Sequence, residues 1–277
     1  MSADNPFPSL DGFGPTRKTL HLYSNVLGVV ARAHGEFHPK WWHISLKVQP
    51  DGLTTDEMAL PDGGTFSLKL NLRQHKAILE TSGSQRKEFS LTEGLSSTAF
   101  GDQVLAAVAD LGLSGEYVRE KFENDEPREY DTAVAENFLT AAFNADRIFK
   151  QHRANLSGEM GPVQLWPHGF DLAFEWFGTR KMEYEEHGEI TVYPSQLNLG
   201  FYPGNNNAET YFYSNPWPFE ADQLLDKPLP EGSRWFNESW QGSMFPYAEL
   251  TGDSKAGERL LAFARAVYEH SAPTLLE

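Results

Sequence analysis

The stretch Val163-Gln164-Leu165-Trp166-Pro167-His168-Gly169-Phe170-Asp171-Leu172-Ala173-Phe174-Glu175-Trp176 constrains the fold more than any other part of the chain. It is the longest apolar run, and a proline, a histidine and two acids sit inside it. From Phe170 onward the alternation predicts a strand. Phe170, Leu172, Phe174 and Trp176 would share one face, and Asp171, Ala173 and Glu175 the other. Pro167 cannot donate to a ladder, so a bend or an edge position is expected there. An earlier stretch, Trp41-Trp42-His43-Ile44-Ser45-Leu46-Lys47-Val48, echoes it. Its alternation predicts a strand with Trp41, His43, Ser45 and Lys47 on one face.

The elements between these two stretches follow from periodicity. Leu20, Tyr23, Leu27 and Val30 recur at helical spacing from about Thr16, and Gly35 follows as a stop. Phe66, Leu68, Leu70 and Leu72 alternate with polar residues, as in a half-buried strand. Short turns lead on to strands at residues 77–81 and 86–91, which gives an antiparallel meander. Phe100, Val104, Val108 and Leu111 predict a second helix, ended by Gly112. Residues 114–131 hold seven acids against three bases and read as a linker pinned by Tyr117 and Phe122. A third helix starts near Asp131. An acidic loop is expected around Glu183, Glu185, Glu186 and Glu189. Strands follow at Leu197–Phe201, Tyr211–Tyr213 and Trp240–Tyr247, with a turn at Pro203–Asn207 and a last helix after Asp253.

The order of elements predicts an α+β fold of antiparallel sheets with packed helices. It also reads as two similar helix–meander–helix halves: a tail at 1–15, a half-repeat at 16–113, the linker at 114–130, and a second half-repeat at 131–277 packed on the first. The halves share no long identity, so the duplication rests on element order alone.

Composition narrows the function. The chain has 39 acids against 23 Lys and Arg, a net charge of −16. Such a surface repels phosphate backbones and anionic lipid, so nucleic-acid and membrane partners are not expected. No run of about 18 apolar residues is present. Met1-Ser2-Ala3-Asp4-Asn5-Pro6 lacks the basic start of a signal peptide, and cysteine is absent. Together these favour a cytoplasmic protein. There is no dinucleotide fingerprint, phosphate loop or nucleophile elbow.

Four constellations could carry chemistry. His168 with Asp171 and Glu175 could act as acid and base if burial shifts their pKa values, against a plainer role in structural ion pairs. His43 could converge with His168 on a ligand or metal, although a histidine beside tryptophans more often bonds its own backbone. His34-Gly35-Glu36-Phe37-His38 has metal-like residues but lacks spacing that puts two ligands on one helix face. No metal ligands are assigned, and the cofactor stays open. The aromatics, with Asn198, would suit a pocket for a planar or sugar-like molecule, or simply fill the core.

Thr19-Leu20-His21-Leu22, Trp41-Trp42-His43, Phe170-Asp171-Leu172-Ala173, Gly200-Phe201-Tyr202-Pro203-Gly204 and Tyr211-Phe212-Tyr213 before Pro216-Trp217-Pro218 occur in that order. With them the chain resembles a bacterial family, domain of unknown function 5996, over roughly residues 16–270. The resemblance implies a soluble bacterial protein and brings no catalytic residues. The leading expectation is a small-molecule binder whose aromatic-lined pocket uses His43, Trp41, Trp166, Trp176, Asn198, Tyr202, Tyr213 and Trp217. The alternatives are a hydrolase or lyase using Asp171, Glu175 and His168, and a scaffold or oligomerisation module.

Overall fold

Helix α1 (Phe13–His34) forms where the spacing of Leu20, Tyr23, Leu27 and Val30 predicts it, and all four are buried. It starts earlier than Thr16 because Phe13 is itself buried. Gly35 ends it: the backbone turns extended while its N–H still bonds the Ala31 carbonyl at 2.8 Å. The computed structural model describes residues 6–186, 188–205 and 207–277. Residues 1–5 of the expected tail and Asn206 of the expected turn lie outside the described residues. The chain divides into two compact units. The first holds residues 10–143 and 164–171; the second holds the residues up to Ser9, 144–163 and 172–277.

In the first unit, α1 is followed by a 3-10 turn at Trp42–Ile44 and the short strands β1 (Lys47–Gln49), β2 (Gly52–Thr54) and β3 (Met58–Ala59). The meander then runs as expected through β4 (Thr65–Asn71), β5 (Lys76–Thr81) and β6 (Arg86–Ser90). Helix α2 (Ser97–Asp110) starts at Ser96, whose hydroxyl accepts from the Ala99 N–H, as N-cap serines do. Tyr23 of α1 stacks on Phe100 of α2 at 3.9 Å, and its hydroxyl donates to the Leu95 carbonyl at 2.8 Å. Residues 114–131 pack into this unit through Phe122, which is fully buried, and through Arg128. Helix α3 (Thr132–Arg153) follows, and its residues up to Phe143 belong here. Strand β7 (Gln164–Trp166) returns to the unit by a two-way backbone bond between Leu46 and Leu165, 2.8 Å each way.

The expected strand at Trp41–Val48 is only half realised. Trp41 is left-handed at φ 61, and a tight turn covers Trp42–Ile44. Local side-chain bonds favour that turn: the Ser45 hydroxyl lies 2.6 Å from the Trp42 carbonyl, and His43 Nδ1 accepts from the His38 N–H at 3.2 Å. The strand begins only at Lys47.

The second unit is built on the long strands β8 (Asp171–Glu186) and β9 (Glu189–Tyr202), then β10 (Tyr211–Trp217), a short α4 (Ala221–Leu224), β11 (Arg234–Asn237), β12 (Gln241–Pro246) and α5 (Ala256–Ser271). The acidic loop expected around Glu183 is instead strand. Glu183 pairs with Val192 and Glu185 with Ile190, past a bulge between Phe177 and Lys181. Phe174, Leu199, Phe201, Phe212 and Phe245 form the buried side, together with Leu260, Phe263 and Val267 of α5. Phe7 meets Phe212 edge-on at 5.3 Å.

Among the described residues the fold is thus α+β with two antiparallel sheets of six strands each. One has the order β1-β2-β4-β5-β6 with β3 on β4, and the other β11-β12-β10-β9-β8-β7. These orders do not establish a duplication. Among the described residues, no helix is long and apolar enough to cross a membrane.

Candidate functional site

Asn25, Gly28, Val29 and Arg32 are three, four and seven residues apart along α1 and share one face of that helix. Gly28 carries no side chain, and the Pro167 ring fills its place: a Cβ there would lie 3.0 Å from Pro167 Cγ. With Ile44 from the tight turn, Val118 and Lys121 from the acidic stretch, and Pro167 and His168 after β7, these residues line a recess of about 370 Å³, counting the open space at its mouth. Val29, Ile44, Val118 and Pro167 make the lining apolar. Asn25, Arg32, Lys121 and His168 supply the polar groups.

The turn that carries Pro167 and His168 is fixed from two sides. Phe170 adopts φ 54, its N–H bonds the Trp166 carbonyl at 2.8 Å, and its ring stacks between Phe138 and His21 at 5.2 and 5.6 Å. The His21 Nε2 lies 3.1 Å from the His168 carbonyl, so that nitrogen carries the proton and donates. Burial holds the His21 pKa below its ordinary value and keeps the ring neutral, with Nδ1 free of its proton.

A ring cluster stands beside the recess. The guanidinium of Arg32 lies 4.7 Å from the centre of the Trp41 ring, a cation–π contact. Trp41 stacks on His43 at 5.5 Å, and Phe37 meets both rings edge-on. His43 is buried, and burial first, then the charges of His38 and Arg32, lower its pKa. Its Nδ1 already accepts from the backbone, so the structural role of this histidine is occupied.

The structure separates the sequence-predicted residues into groups. His168 lines the recess and Trp166 meets its ring edge-on at 5.8 Å. Trp41 and His43 reach the recess through Arg32 and Ile44. The Asp171 carboxylate folds back over Gly169, where its Oδ1 would lie 2.4 Å from an added Cβ. In the second unit Glu175 lies opposite Asn198, Tyr202 opposite Tyr211, Tyr213 opposite Gly200 and Trp217 opposite Gln196. Cross-strand partners point the same way, so Glu175, Asn198, Tyr202, Tyr213 and Trp217 share one half-exposed sheet face. Trp176 lies on the other face, in a core cluster with Leu197, Ala272 and Leu275, and its Nε1 donates to the Ser157 carbonyl at 2.8 Å.

Asn25, Arg32, Val118 and Lys121 escaped the sequence reading. The signal for the α1 pair was the polar and small spacing at 25, 28, 29 and 32, off the apolar stripe. Among the described residues, no group of three or more His, Asp or Glu side chains is placed to hold a metal ion. No curated protein and no solved structure matches the chain. A family model matches residues 7–275, and on that match the chain belongs to the family of unknown function DUF5996.

Proposed function

We propose that this protein binds a small organic molecule in the recess beside α1. One observation carries the reading: four separate segments converge there on an apolar concavity edged by a few polar side chains. Small-molecule sites have this composition, an apolar lining with few polar groups that set orientation. The rigidity of the 167–170 turn adds support, because a held surface loses less entropy on binding. His168 and Asn25, besides the two cations, are the polar groups that would orient the ligand.

Val118 is half-buried at the rim, so Val118→Trp fills the recess without disturbing the core. Fragment-sized aromatic acids, amides and amines, followed by ligand-detected NMR, test the reading. Members of the panel should bind the native chain at roughly millimolar strength, as expected for fragments of about ten heavy atoms. Val118→Trp should abolish that binding at an unchanged melting temperature. Binding that survives Val118→Trp would place the ligand elsewhere and defeat the proposal.

A further inference from the structure

Resting on the recess reading, we infer that the ligand is a monoanion, a small carboxylate with a flat apolar body, held by Arg32 and Lys121. Acids outnumber bases by 39 to 23 in this chain, so a cation normally finds a carboxylate close by. Arg119, two residues before Lys121, shows the usual outcome: it pairs with Asp102 at 2.8 Å and with Glu123 at 2.6 Å. Among the described residues, neither Arg32 nor Lys121 has an ion-pair partner, and both line the same recess. The last turn of α1 favours a cation at Arg32 whatever it binds. Lys121 has no such account, and its place with Arg32 in the lining of one apolar recess asks for an anion.

The Arg32 guanidinium also lies over an aromatic ring. Its partner Trp41 sits in the left-handed region at φ 61, a conformation costly for a bulky side chain. A guanidinium presents a planar fork that matches a carboxylate. A phosphate dianion fits less well. The recess lies toward the carbonyl end of α1, where the helix field repels negative charge, a dianion most. Val29, Ile44, Val118 and Pro167 would contact the apolar body.

Three matched probes test the charge: benzoate, its neutral amide benzamide, and phenyl phosphate. Each is titrated into the native chain, Arg32→Gln, Lys121→Gln and Val118→Trp, with affinity followed by NMR and folding checked by melting temperature. Both cations are exposed, so the Gln variants should fold normally. Benzoate should bind the native chain at least about tenfold more tightly than the other two probes, and each Gln variant should cost it about fivefold, the scale of a charge-assisted hydrogen bond. Benzamide matching benzoate, with both lost in Val118→Trp, would overturn the anion inference and leave the recess reading standing. Phenyl phosphate binding most tightly, or benzoate ignoring both Gln changes, would overturn it too. Absence of any binding sensitive to Val118→Trp would remove the recess reading and this inference with it.

Discussion

Single positions in this protein decide how closely elements approach and which protonation state survives folding. Gly101 of α2 shows the first effect. A Cβ there would lie 2.3 Å from Cε2 of Phe122, and that ring is fully buried. Gly101→Ala gains about 1 kcal/mol of helix propensity, but forcing the ring aside costs about 1–3 kcal/mol or somewhat more. The steric cost wins, so the variant should lose about 1–2 kcal/mol in urea unfolding; a stabilised variant would show that Phe122 is not the wedge described. His152 shows the second effect. It is buried against Phe174 and Tyr268, and burial, helped by the Arg265 charge, lowers its pKa to about 4. The unfolded chain takes up this proton near pH 6.5, whereas the folded one resists until pH 4. Stability from the neutral ring is therefore complete above pH 6.5 and falls as the pH drops toward 4, by about 3 kcal/mol in total. His21, His34 and His43 shift in the same direction and add to the slope. Comparing unfolding at pH 7 and pH 4.5 for the native chain and His152→Leu should show a shallower loss in the variant. Parallel losses would mean that the histidine takes up its proton in the fold as readily as in the unfolded chain.

Among the elements, the outer part of the β8–β9 hairpin differs from the sheet that it extends. Beyond the bulge, Tyr184, Ile190 and Val192 are more than half exposed, at 55, 68 and 53%. Leu197, Leu199 and Phe201 on the inner part of β9 are buried. Stability that comes from burial is then concentrated at the inner end. Amides at 182–185 and 190–193 should exchange with solvent roughly a hundredfold faster than those at 197–201; equal protection along the hairpin would show that something else covers its outer end. The same hairpin explains a misreading. Met182 and Tyr184 alternate with Glu183 and Glu185, a period of two that signals a strand, but the density of acids there reads as loop. At Trp41–Val48 the error runs the other way: the alternation was real, but bonds from Ser45 and His43 to nearby backbone hold a tight turn that periodicity cannot detect. The long helices were legible because each buries an apolar stripe whose spacing is written in the chain. The recess was legible only at His168, which stands out inside an apolar run. Asn25 and Arg32 look like ordinary solvent-facing positions on a helix until Pro167 and Lys121 are brought to them by contacts far apart in sequence.

At the scale of the whole molecule, charge is the property that sequence and structure both make plain. The net charge is −16, so 16 carboxylates stay in excess when every Lys and Arg charge is matched one to one. Several pairs do form on the surface, such as Lys69 with Asp51 at 3.1 Å and Arg73 with Glu136 at 3.0 Å. Their partners are partly exposed, so each contributes about 0–1 kcal/mol and weakens in salt. The excess carboxylates repel one another over a longer range, about 30 Å of screening length at 10 mM salt against about 8 Å at 150 mM. Two opposed effects of salt are thus present: loss of short surface pairs, and relief of long-range repulsion in the folded state. Repulsion should dominate, because the pairs are weak from the outset and the excess of negative charge is large. Raising sodium chloride from 10 to 150 mM at pH 7 should therefore increase the melting temperature by about 2–4 °C, the shift that corresponds to about 1 kcal/mol in a chain of this size. Potassium chloride should act equally, since screening does not depend on which cation supplies it. A fall in melting temperature with either salt would mean that the local pairs hold the molecule together more strongly than their exposure implies, and a response to only one of them would point to a specific ion site.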